Sequence, residues 1–129
     1  MKSVVRLLIR DMKVAVLLLF LLLPPQILVA PESIRQNLEL YQRWYNETAA
    51  CAGLEGDFSK ITWQVLEGSG WYDDDGSFIL GKWYWPHTIF LPSEYVDSMF
   101  LVKHEMLHDL RQEGGHPTPP FNFCEHQIP

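Results

Sequence analysis

Basic side chains are scarce once the first 30 residues of this 129-residue chain are set aside. Four of its 10 Lys and Arg, but only one of its 16 Asp and Glu, precede residue 31, so the remainder carries 6 against 15, a formal balance of −9. Such a surface would repel a phosphate backbone, and nucleic acid is excluded as an expected partner. Long apolar runs are also missing. The one unbroken stretch, Val14–Leu23, spans ten residues; extended to Ala30 it is still short for a bilayer and is interrupted by Pro24 and Pro25. Cysteine is nearly absent: Cys51 and Cys124 stand alone, without the spacing of a zinc ligand pair. Neither internal repeats nor long low-complexity segments occur. Asp73-Asp74-Asp75 lacks the alternate spacing and terminal glutamate of a helix–loop–helix calcium site and reads as a solvated acidic turn.

What the N-terminal third does contain is the layout of an export signal. Lys2, Arg6, Arg10 and Lys13 precede the apolar stretch, and Met12 offers a second start directly before it. Leu28-Val29-Ala30 resembles a cleavage site, although Pro31 follows at once. Residues 1–30 are therefore expected to be a signal peptide or signal anchor, and 31–129 one exported domain: secreted, periplasmic or at the cell surface. Membrane contact is expected only through that first segment. In an exported domain two distant cysteines suggest a disulfide closing a long loop, worth about 2–4 kcal/mol.

Along residues 31–129 the periodicities predict an α+β fold. Ile34, Leu38, Tyr41, Tyr45 and Ala49 recur at helical spacing over Glu32–Ala52, with Gly53 placed to stop the helix. Asn46-Glu47-Thr48, a glycosylation sequon, falls on it. Ile61–Leu66 reads as a strand, Trp71–Ser77 as a hairpin connection with Asp75-Gly76 at its tip, and Phe78–Trp85 as its continuation. Thr88–Leu91 is a third strand. Ser98–Gln112 is a second long helix, to be ended by Gly114-Gly115 and followed by an irregular, proline-rich tail.

That second helix carries His104-Glu105-Met106-Leu107-His108, an HExxH motif. Positions four apart on a helix lie about 40° apart around its axis, so both imidazoles project from one face as a bidentate clamp for zinc. Met99, Val102, Met106 and Leu110 occupy the roughly opposite side and are expected to pack. Glu105 is the candidate general base for a zinc-activated water. A catalytic zinc site needs a third protein ligand, and His116 is the strongest candidate, eight residues after His108 and just past the Gly-Gly break. Glu113, Asp109 and His126 are the alternatives. Tyr95, His126 and His87 are candidates to stabilise an oxyanion.

With Gly115-His116 and Phe121 added, the pattern resembles the HExxH zinc metallopeptidases with a small core, the SprT-like or minigluzincin-like zincins. It also resembles small exported bacterial proteins with the same HEMLHDL and GHPxPPF arrangement. The likeness covers about residues 100–124. It departs from the metzincins, in which the third histidine follows the second by six residues. The resemblance implies zinc held by His104, His108 and His116, catalysis by Glu105, and a peptide or protein substrate. It also implies a minimal zincin core of N-terminal helix, small antiparallel three-stranded sheet and active-site helix, with an edge strand above the metal pairing with substrate; Thr88–Leu91 is the expected edge. Trp83, Tyr84 and Trp85 are read as core rather than cleft. The competing expectation is a catalytically silent, zinc-stabilised domain that binds a protein or cell-wall partner.

Overall fold

A computed structural model describes residues 31–126. The expected signal or anchor segment lies outside the described residues. Within them the α+β class holds: helices α1 (Glu32–Arg35), α2 (Leu38–Ala52) and α3 (Met99–Arg111) pack with strands β1 (Thr62–Leu66), β2 (Trp71–Tyr72), β3 (Phe78–Ile79), β4 (Lys82–Tyr84) and β5 (Thr88–Pro92). No helix of the described residues is long and apolar enough to cross a membrane.

The first helix is broken where one continuous helix was expected. Asn37 leaves helical geometry at φ −110° and ψ 7°. Its amide donates back to the Ser33 carbonyl at 3.0 Å and across to Asp97 Oδ1 at 3.1 Å. An Asn side chain that bonds the preceding turn competes with the helical ladder, and the chain re-enters a helix only at Leu38. From there Tyr41, Trp44, Tyr45 and Thr48 bury one face, and Gly53 ends α2 in the left-handed region at φ 65°. Asn46 of the sequon is exposed, whereas Thr48 is fully buried and its hydroxyl donates to the Trp44 carbonyl.

The main sheet is mixed, not antiparallel. Its order is β1-β5-β4, with β1 parallel and β4 antiparallel to β5. Two facts produce this. Ile89 and Leu91 of β5 are completely buried, which suits the central position best. Residues 67–87 include the separate β2–β3 hairpin and β4, giving enough chain to carry β5 back beside β1 in parallel register. Thr88–Leu91 is thus no edge strand; β4 is the edge on the α3 side.

Helix α3 runs through the centre of the molecule. Ser98 caps its start, the hydroxyl oxygen accepting from the Leu101 amide. Val102, Met106 and Leu110 pack into the main core with Tyr41, Trp44, Trp63, Ile89 and Leu91, as their spacing predicts. Its other flank is covered too: Leu107 packs on Phe121 and Cys124. The helix ends at Arg111, before the glycines are reached. Gln112 takes the left-handed conformation at φ 55°, and its side-chain amide donates to the Asp109 carbonyl at 2.6 Å and the Pro86 carbonyl at 2.8 Å. A side chain anchored at both points holds a conformation that would otherwise favour glycine. Cys51 and Cys124 form the expected disulfide, tying the last turn of α2 to the tail across 73 residues. The bond is consistent with an oxidising, extracytoplasmic environment.

Candidate metal centre

Helix α3 and the tail bring three imidazoles together. His116 Nε2 lies 3.1 Å from His104 Nε2 and 3.2 Å from His108 Nε2. The three ligand atoms all fall within 4.8 Å of one another. Nitrogens bound tetrahedrally at about 2.0–2.1 Å from one ion stand roughly 3.3 Å apart, so these three are positioned to bind a metal ion.

The opposite ring nitrogens are occupied, which sets the tautomers. His104 Nδ1 donates to Glu125 Oε2 at 2.8 Å, and His108 Nδ1 donates to the Glu113 carbonyl at 2.8 Å. Both Nε2 lone pairs are thereby left for a metal. Phe121 closes the floor, its ring centroid 4.8–5.0 Å from all three imidazoles. Burial holds both helix histidines below the ordinary imidazole value, and the crowding of one imidazole by another adds to it. Both effects favour the neutral imidazole that a metal ligand requires.

Of the other candidate ligands, none joins the cluster. Asp109 is buried and accepts from Tyr45, Trp83 and His87. Glu113 is exposed and pairs with Arg111, contributing only its carbonyl. His126 stacks on Phe100 with centroids 4.8 Å apart. Glu125 escaped the sequence reading. It is buried, accepts from His104 and from the Asn122 amide at 3.0 Å, and sits beside the disulfide. Its neighbour Cys124 was the available signal, because a bridged cysteine fixes the residue next to it. Glu125→Ala is expected to weaken metal binding by about 10–100-fold, measured by chelator competition, by freeing the His104 ring to turn. Unchanged affinity would mean that the carboxylate serves only the fold of the tail.

The histidines open into a cleft of about 240 Å³ whose walls include Glu105, Gly81, Lys82 and Trp83. Glu105 is 3% exposed. The backbone just before β4 comes so close that a Cβ on Gly81 would meet Glu105 Oε1 at 2.9 Å. The Trp83 amide donates to the carboxylate, and Lys82 adds a favourable charge, yet burial outweighs both and pushes the Glu105 pKa up to about 8. Of the cleft aromatics, Trp83 lines the wall, while Tyr84 and Trp85 are exposed beyond it. Tyr95, His87 and His126 do not line the cleft.

These shifts imply a pH-dependent stability for the metal-free protein. Between the ordinary value of 4.5 and about 8, native Glu105 keeps a proton that the unfolded chain has lost, so its contribution falls as pH rises through that window. The two histidines act oppositely below 6.5, where the unfolded chain binds the extra protons and stability rises with pH. Glu105→Gln isolates the carboxyl. Relative to wild type, the metal-free variant is expected to gain on the order of 4 kcal/mol between pH 4.5 and 8 in urea unfolding, and parallel pH profiles would contradict it.

Fold and site together define an α+β domain with three histidines positioned to bind a metal ion. Compared with protein-family models, curated proteins and solved structures, the chain gives no match.

Proposed function

We propose that this protein is an exported zinc metallopeptidase that hydrolyses peptide bonds with Glu105 as general base. The observation that carries this reading is the opening of three convergent imidazoles and one buried carboxylate into the same cleft, beside a sheet edge. Three imidazole nitrogen donors from His104, His108 and His116 suit zinc with a position left open. A bound zinc supplies Lewis acidity, which makes water nucleophilic near neutral pH and polarises a carbonyl.

The chain's own residues supply the rest. Glu105 accepts a proton from the attacking water as its oxygen joins the scissile carbonyl carbon, then delivers that proton to the amine as the C–N bond breaks. Lys82, which lines the cleft with its ammonium over the Tyr84 ring, would bring positive charge toward the oxyanion. An extended substrate lies along β4, replacing the β5 edge that the sequence suggested.

Exposed aromatics favour a second reading. Tyr72 is 73% and Trp85 is 75% exposed, a surface that suits a zinc-stabilised binding domain for a protein or cell-wall partner. Both readings expect one zinc per chain, lost in His116→Ala. They divide on a mixed peptide library analysed by mass spectrometry. Cleavage that disappears on chelation and returns with zinc supports the peptidase; metal-dependent stability with every peptide intact supports the binding domain.

A further inference from the structure

Asp109 follows a histidine of the cluster, yet its carboxylate points away from it. One oxygen, Oδ1, accepts from Trp83 Nε1 at 3.2 Å and from His87 Nδ1 at 2.9 Å; the other accepts from the Tyr45 hydroxyl at 3.2 Å. The residue is 2% exposed. A buried carboxylate is costly unless its lone pairs are used, and here three donors from α2, β4 and the β4–β5 turn use them.

Trp83 is the member of this group that reaches the cleft. Its indole lies nearly parallel to the His108 ring, at 18° with centroids 6.4 Å apart. Its main-chain amide donates to Glu105. One residue of the edge strand therefore touches both a histidine of the cluster and the carboxylate beside it, and its indole nitrogen is anchored on α3.

We propose that Asp109 and Trp83 form a positioning pair that fixes the β4 edge, and with it the Glu105 carboxylate and the His108 ring, relative to the metal centre. This rests on the peptidase reading for its catalytic consequence alone. A side chain free to slide would let β4 shift by a fraction of an ångström, and displacement of a general base on that scale lowers turnover steeply. The pair acts through Glu105 and His108, and neither residue touches the reacting atoms.

The test uses the full chain loaded with Zn(II) for kinetics and with Co(II) for spectroscopy. Trp83→Phe keeps an aromatic ring but removes the Nε1 donor, and Asp109→Ala removes the acceptor. Each is expected to lower kcat by about 10-fold or more, with zinc content unchanged and the Co(II) d–d bands displaced. Asp109→Asn, whose amide oxygen still accepts from Trp83, is expected to restore both. Tyr45→Phe, which removes the bond to the far oxygen, should cost stability only. Should Asp109→Ala fail to fold, Trp83→Phe still decides. Variants that melt earlier but keep wild-type kcat and Co(II) spectra overturn the proposal, leaving the pair a packing contact. If wild type cleaves no peptide, the hydrolase reading falls, and the Co(II) spectra decide the positioning role by themselves.

Discussion

Glu105→Gln is expected to lower peptide hydrolysis by about 10²–10⁴-fold while the protein still binds one zinc. Gln fills the same space, and its carbonyl oxygen still accepts the Trp83 amide hydrogen bond that Glu105 receives. What it lacks is a carboxylate that can take a proton from water and release it to the departing amine. The helix histidines are untouched, because the Nδ1 partners of His104 and His108 are Glu125 and the Glu113 carbonyl. The variant therefore separates chemistry from metal binding, and elemental analysis beside steady-state kinetics reads both. Full activity in a zinc-loaded variant would remove Glu105 from the mechanism. In the metal-free state the same substitution relieves a carboxylate buried at 3% exposure, so lost activity should not come with lost stability.

Removing the Cys51–Cys124 bridge is expected to produce the largest loss of stability. The bond closes a loop across a separation of 73 residues, for which chain entropy alone gives about 4 kcal/mol. The loss should be visible as a lower urea midpoint for the Cys51→Ser/Cys124→Ser protein. The bridge also holds the tail that brings one of the three histidines, His116, to the candidate metal site. The tail is anchored by a small cluster of Leu107, Phe121 and Cys124, separate from the main core. Glu125 and Phe121, which brace the histidines, flank the bridge, and His116 lies on the same tail. Zinc affinity should fall together with stability, and saturating zinc should recover part of the midpoint. A double variant with wild-type midpoint and affinity would show that Phe121 and the ligands hold the tail without the bridge.

Much of this site is readable before any fold is known. The pairing of His104 with His108, the position of Glu105 between them and the apolar side formed by Val102, Met106 and Leu110 all follow from helical periodicity. That His116 joins the two helix histidines was reachable because glycines permit the chain to turn back toward the helix. The first helix shows where such reading stops. Its apolar spacing runs unbroken through Asn37, but the Asn37 side chain finds Asp97, 60 positions away, and the helix breaks.

What the sequence by itself determined is the local register: the histidine pair on its helix, the apolar faces of α2 and α3, the Asp75-Gly76 turn and the availability of two cysteines for one bridge. Each depends on neighbours within a few residues, where backbone geometry leaves few choices. Only the tertiary structure decided that β5 is central and β4 lies at the edge, that the sheet is mixed, and that Glu125 backs His104. It alone also placed Trp83 between His108, Glu105 and Asp109. Glu125 and Trp83 meet their partners across 21 and 26 positions of chain. Contacts at such separations are set by which buried surfaces pack together, and no local periodicity records that choice.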